Sequence, residues 1–233
     1  MVAEKNEYSK IYIYMNTYSE KKGFTLLELL IVIAIIAALS TILIIVINPS
    51  ETLKQSRDSQ RIADLSTLKT ALGLYMTATS SPKLDSIAAS NGCNTPTKVW
   101  YSAPSSTAVV TITNSSNGTS FATAGQPSST VTAGLINGTG WIPVNLASLT
   151  GGSPISNMPL DPVNTVVAGA NTSSSLVYRY ACKLSPLSFE VDASLESTQY
   201  TSVDNKLASD GGDNANYFEV GTGLGILPSD GNF

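Results

Sequence analysis

The apolar positions of this chain change pattern at Asn48. From Phe24 to Ile47 almost every side chain is apolar, and Glu28 is the only charged one. These 24 residues would span about 36 Å as a helix, against a bilayer core of about 30 Å. A helix apolar on all sides belongs in lipid or in the core of an assembly. From Glu51 to Thr79 the pattern becomes amphipathic. Ile62, Leu65, Leu68, Leu72 and Tyr75 or Met76 recur at three- and four-residue spacing, which predicts one buried helical face. Between the two stretches, Asn48-Pro49 predicts a break, because proline lacks an N–H and biases the residue before it away from the helix. Ser50 is the expected N-cap of the second stretch, and Ser80-Ser81-Pro82 its end. Its first turns are polar. Arg57, Asp58, Arg61 and Asp64 stand at helical pairing distance, either as a solvated face or as partners for another subunit.

Beyond Pro82 the chain is rich in Ser, Thr, Asn and Gly as far as Ser156, with short β-branched runs. Val109–Thr113 is the clearest strand there, with weaker ones near Phe121 and over Thr130–Ala133, and a turn at Asn114–Gly118. Trp100, Tyr101 and Trp141 are the expected apolar anchors. The C-terminal third carries a turn at Met158–Asn164. It then predicts an antiparallel pair, Leu176–Cys182 and Leu187–Asp192, bending at Ser185-Pro186. Leu187, Phe189 and Val191 alternate with Ser188, Glu190 and Asp192, so one sheet face is expected to be buried. The fold class is α+β, an N-terminal helix packed on a C-terminal antiparallel sheet.

Composition narrows the chemistry. The chain has 233 residues, with 13 basic and 17 acidic side chains and no histidine. Absence of histidine removes His-based triads and His metal sites. Neither a Gly-x-Ser-x-Gly elbow nor a phosphate-binding Gly-Lys-Ser/Thr loop is present, so an anchored surface enzyme is a remote reading. Scattered charge with a mild acidic excess gives no footprint for nucleic acid. Lys21 and Lys22, with Lys5 and Lys10 upstream, place the N-terminus in the cytoplasm and everything after Ile47 outside. Cys93 and Cys182 both lie in the exported part, where one disulfide is expected rather than two buried thiols. Closing a loop of about 90 residues contributes roughly 4–5 kcal/mol on the chain-entropy view. Asn114, Asn117, Asn137 and Asn171 head Asn-x-Ser/Thr triplets, which surface polarity alone explains.

The acid inside the apolar run needs an account, since such acids are costly and mark function by default. From hydropathy alone Glu28 could belong to a plain signal anchor. Its neighbourhood decides otherwise. Lys21-Lys22-Gly23-Phe24, with an acid at the fifth position of the apolar run, resembles the signal of type IV prepilins and type II secretion pseudopilins. The resemblance implies that a prepilin peptidase cuts between Gly23 and Phe24 and methylates the new amine of Phe24. Residues 1–23 are then a leader, 24–47 a transmembrane and filament-core helix, 48–80 its amphipathic continuation, 81–156 a variable region and 157–233 a β-sheet head. Removing the leader leaves 9 basic and 14 acidic side chains. Met15 would begin a nine-residue leader of the length usual in the family. A proline that type IV pilins often carry is replaced here by Ile45.

A positive amine at Phe24 is itself costly among apolar helices, and Glu28 of a neighbouring subunit would neutralise it. Such a pair specifies register more than it adds stability. The implied partners are other copies of the chain, the peptidase, an assembly platform and the inner membrane. The expected place is a single pass of that membrane before assembly and a surface or periplasmic filament after it. The turn around Asp161 and the segment Asp210–Asn216 are similar to the core of the major type II secretion pseudopilin, which carries a calcium loop near this place. Asp210, Asp213 and Asn214 are the candidate calcium ligands, with a metal-free polar hairpin as the alternative.

Overall fold

The computed structural model describes residues 23–85, 93, 98–103, 112–113, 120–123, 130–165 and 175–227. The chain forms two compact units, one ending at Ile47 and the other beginning at Asn48. In the first unit, helix α1 (Leu26–Ile47) is apolar around its whole circumference. The second unit opens with helix α2 (Pro49–Ala78). Asn48 lies before it in the left-handed region (φ 45°), as the break at Asn48-Pro49 predicts. Its side chain accepts from the Glu51 N–H, so Asn48 rather than Ser50 is the N-cap, and Pro49 takes the first helical position, where no N–H is needed.

Among the described residues six strands follow: β1 (Lys98–Tyr101), β2 (Ile112–Thr113), β3 (Ser120–Thr123), β4 (Tyr178–Leu184), β5 (Leu187–Ala193) and β6 (Phe218–Gly221). They form one sheet in the order β2-β3-β1-β4-β5-β6. β1, β4, β5 and β6 pair antiparallel, β3 runs parallel to β1, and β2 pairs antiparallel with β3. The β4–β5 hairpin turns at Ser185-Pro186, with Leu184 opposite Leu187. Of the expected strand at Val109–Thr113, Ile112 and Thr113 are described and lie in β2, while the Asn114–Gly118 turn falls outside the described residues.

Thr130–Ala133 is not a strand. It forms a single helical turn, α3. At its end the Ala133 carbonyl accepts from the Trp141 N–H, and the Gly134 carbonyl just beyond it from the Met158 N–H.

The main core lies between α2 and one sheet face. Leu65, Leu68, Leu72 and Tyr75 meet Tyr178, Tyr180, Phe189 and Val191, with Trp141, Ile142 and Leu146 filling the edge. Trp141 Nε1–H donates to the Pro159 carbonyl at 2.9 Å, which satisfies the one polar atom of a buried indole. Cys182 of β4 is bonded to Cys93, their Cα atoms 4.7 Å apart.

The opposite sheet face is buried as well, contrary to the one-sided burial that the alternation in β5 predicts. Ser188, Glu190 and Asp192 are all covered. Val99, Tyr101, Ala181, Tyr217 and Leu227 form a second core there, because the chain after β5 folds back over this face.

Candidate functional site

In α1 every large apolar side chain with a described environment is exposed by 48 % or more. Gly23, Phe24 and Thr25 precede the helix in non-helical conformation, and Phe24 is 89 % exposed. Glu28 sits in the first turn. Its backbone N–H donates to Thr25 Oγ1 at 3.1 Å, while its Oε2 accepts from the Thr25 N–H and the Thr25 hydroxyl, each at 3.0 Å. This is a reciprocal capping box, which satisfies donors that a helix start leaves open. The Thr25-x-x-Glu28 spacing was its signal in the sequence. The same cap explains why the helix begins one residue after Thr25 and leaves the Gly23–Phe24 bond outside it. Lys21 and Lys22 lie outside the described residues.

In α2 the buried stripe is Asp58, Arg61, Leu65, Leu68, Leu72 and Tyr75, three or four residues apart throughout. Its first two members are charged, so hydrophobic spacing alone dated the stripe too late. Neither the solvated face nor a pairing reserved for another subunit describes them: they form a buried network within the chain. Arg61 Nε and Nη2 donate to the two oxygens of Asp161 at 2.6 and 3.1 Å. Its Nη1 donates to Asp58 Oδ1 and Glu196 Oε2, both at 2.7 Å. Arg57 grips Glu196 through Nε at 2.8 Å and Nη2 at 2.9 Å.

The anions are fixed from behind. Asp58 accepts from the N–H groups of Glu196 and Ser197, and Asp161 Oδ1 from those of Val163 and Asn164. Burial works against the Arg61 charge, but Asp161, Glu196 and Asp58 outweigh it and hold the guanidinium above its ordinary pKa. The hydrogen bonds from Arg57, then those from Arg61, hold Glu196 below the usual carboxylate range. Tyr178 donates its hydroxyl to Asp64 at 2.8 Å, while burial pushes the Asp64 carboxyl up.

On the far face of the sheet, Arg179 donates to Asp192 at 2.6 Å and its guanidinium carbon lies 3.4 Å from the Tyr217 ring centroid. Arg179, Glu190, Asp192 and Glu219 are charged residues inside strands. Strand periodicity gives them no partner and puts Glu190 and Asp192 on the polar side of β5, whereas both are buried.

The candidate calcium residues are placed as follows. Asp210 accepts from the N–H groups of Gly212 and Glu219, and Asn214 Oδ1 from that of Asn216. Asp213 is exposed. Among the described residues no three Asp, Glu, His or Cys side chains converge as a metal group would need. The Asp210 carboxylate and the Asn214 Oδ1 already meet backbone N–H groups, so they do not stand open as part of a preformed cage of six to eight ligands.

Residues 19–44 match the family described as the prokaryotic N-terminal methylation motif. No curated protein and no solved structure matches the chain significantly. The motif covers Gly23, Phe24, Thr25 and Glu28, and it supports the type IV pilin and pseudopilin signal read from those residues. A helix long and apolar enough to cross a membrane coincides with it, Leu26–Ile44.

Proposed function

We propose that the protein is a structural subunit, cleaved after Gly23, methylated on the Phe24 amine and polymerised through residues 24–47 into a type IV pilus-like surface filament. The match of residues 19–44 to the methylation motif carries this reading. The bond to be cut lies in exposed, non-helical chain immediately before a capped helix, where a peptidase can reach both sides of it. Lys21 and Lys22 keep the leader on the cytoplasmic side. Once the leader is gone, Phe24 bears a positive charge, and Glu28 of a neighbouring copy neutralises it. The exposed apolar surface of α1 suits lipid before assembly and other copies of the helix after it. The motif points to a structural subunit, and no catalytic residue is assigned.

A second reading, a pseudopilin of type II secretion, draws support from the Pro159–Pro162 turn. Its Asp161 reaches α2 through Arg61, as a turn that seats a sheet domain on its helix would.

N-terminal sequencing of the mature protein, with imaging of sheared surface filaments, tests the processing and the polymer together. The expected mature chain begins at methylated Phe24; a chain that keeps its leader in every molecule overturns the proposal. Glu28→Ala is expected to insert in the membrane and fail to assemble, and normal filaments from it would remove the amine–carboxylate pairing. For calcium at Asp210, Asp213 and Asn214, the check is thermal unfolding with calcium against chelator, equal midpoints removing it.

A further inference from the structure

A segment after β5 lies against the polar start of α2, bounded by Leu195 and Leu207, both buried. Between them no apolar side chain is enclosed: Tyr200 is half-buried and Val203 is 73 % exposed. Gln199–Val203 forms a single π turn, in which the Asp204 N–H donates to the Gln199 carbonyl at 2.7 Å.

The ties from this segment to α2 are polar. The N–H groups of Glu196 and Ser197 donate to Asp58 and that of Thr198 to Glu51. The hydroxyls of Tyr200 and Ser59 share a hydrogen bond of 3.0 Å. The Glu196 carboxylate completes the set, held by Arg57 and by Nη1 of Arg61.

The clamp around Arg61 therefore has two unlike halves. The side chains of Arg61, Asp58 and Asp161 are fully enclosed, and the leucines of α2 continue from them into the main core. Glu196 and Arg57 reach solvent in part. A segment that encloses no apolar side chain gains little from hydrophobic burial, so charge-assisted hydrogen bonds hold it closed. Local opening of such a segment takes less free energy than opening the core beneath it.

We propose that residues 196–206 are a strap latched to α2 by the charge of Glu196, which swings open around Leu195 and Leu207 when that charge is lost and uncovers Glu51, Arg57 and Asp58 while the sheet core stays closed. Acid supplies the trigger. The hydrogen bonds from Arg57, then those from Arg61, hold the Glu196 carboxyl below the ordinary glutamate range, against the effect of burial. A carboxyl lowered in the fold contributes its stability in full above its unfolded value and loses it as the pH falls through its folded value.

The charged groups that face Glu196 are Arg57, Arg61 and Asp58 on α2, with Asp161 across Arg61. Glu51 meets the Thr198 N–H, Asp64 is paired with Tyr178 of β4, and Asp204 and Lys206 pair with each other at the exposed end of the strap. The latch uses neither Gly23 nor Glu28, so it stands apart from leader processing.

Hydrogen exchange on the full-length protein in detergent tests it, after the intrinsic pH dependence of exchange is divided out. The reporting amides are those of Glu196, Ser197, Thr198, Thr201, Asp204 and Lys206, each hydrogen-bonded in the closed strap. At about pH 7, Glu196→Gln is expected to lower the protection of residues 196–206 at least about tenfold, with Leu65–Tyr75 of α2 and the β4–β5 hairpin unchanged. Wild-type protein is expected to pass into the same pattern as the pH falls from about 7 to about 3, and Glu196→Gln to change less over that range. Arg57→Gln weakens the latch from its exposed side, leaves Arg61 with all three acceptors and serves if the first variant does not fold. Its expected loss of protection falls in the same residues. Strap protection that survives these substitutions, or that falls only together with the core, overturns the proposal.

Discussion

Helix α1, of 22 residues, leaves its apolar side chains uncovered, whereas α2, of 30, buries a continuous stripe that includes a fully enclosed arginine. The contrast lies in where each helix finds its partners. α1 closes its first turn with its own Thr25 and Glu28, and among the described residues nothing in its unit covers its surface. α2 draws partners from residues far along the chain: Asp161 and Glu196, 100 and 135 positions from Arg61, for its cations, and the sheet for its leucines. Apolar content alone would rank the two the wrong way round. The helix with more apolar side chains is the one its own unit leaves bare, and the helix with two charges in its stripe is the one that anchors a core.

The largest effect expected from breaking this contrast comes from Arg61→Ala. It leaves Asp58 and Asp161 buried without their cation, which costs about 3–5 kcal/mol where one partner of a buried pair is removed. Denaturant unfolding of the full chain in detergent, followed by near-UV dichroism of Trp100 and Trp141, reads it. A loss below about 1 kcal/mol would mean that water replaces the arginine as it does at surface pairs. Next is reduction of Cys93–Cys182, expected to destabilise the second unit by about 2–4 kcal/mol while the helicity of α1 is unchanged. Melting of α1 together with the sheet would show that the units are not independent. The smallest is Thr25→Ala, which removes a cap worth about 1 kcal/mol and frays the first turn of α1. Amide exchange at Leu26–Glu28 should rise with the unfolding midpoint of the second unit fixed, and a shifted midpoint would contradict the separation.

The sequence was most readable where chemistry and periodicity agree. The apolar run, the break at Asn48-Pro49 and the β4–β5 hairpin follow from local patterns, and the disulfide from two cysteines in an exported segment. The match of residues 19–44 agrees with the reading of Lys21–Glu28. Legibility stops where a charged side chain does the work of a core residue. Asp58 and Arg61 continue the three-and-four spacing of Leu65 and Leu68, but a hydrophobic template skips them. Their partners lie in a proline turn and a loop that no local rule connects to a helix. Glu190 and Asp192 stand on the polar side of the alternation in β5, and the segment that covers Glu190 comes 36 and 37 residues later in the chain. Thr130–Ala133 departs for another reason: β-branched composition describes a preference for strands, which its surroundings in the fold override.

The Arg61 clamp also sets an order in time. Its acceptors Asp161 and Glu196 stand 100 and 135 positions downstream. A chain delivered from its N-terminus therefore presents α2 with its charges hydrated and its clamp incomplete until Glu196 has emerged. Contacts of such long sequence separation form late, because the loop between them must be closed first. Final locking of α2 thus reports that the chain has been delivered as far as Glu196, and a copy cut before Asp161 would leave Arg61 with Asp58 alone among its acceptors.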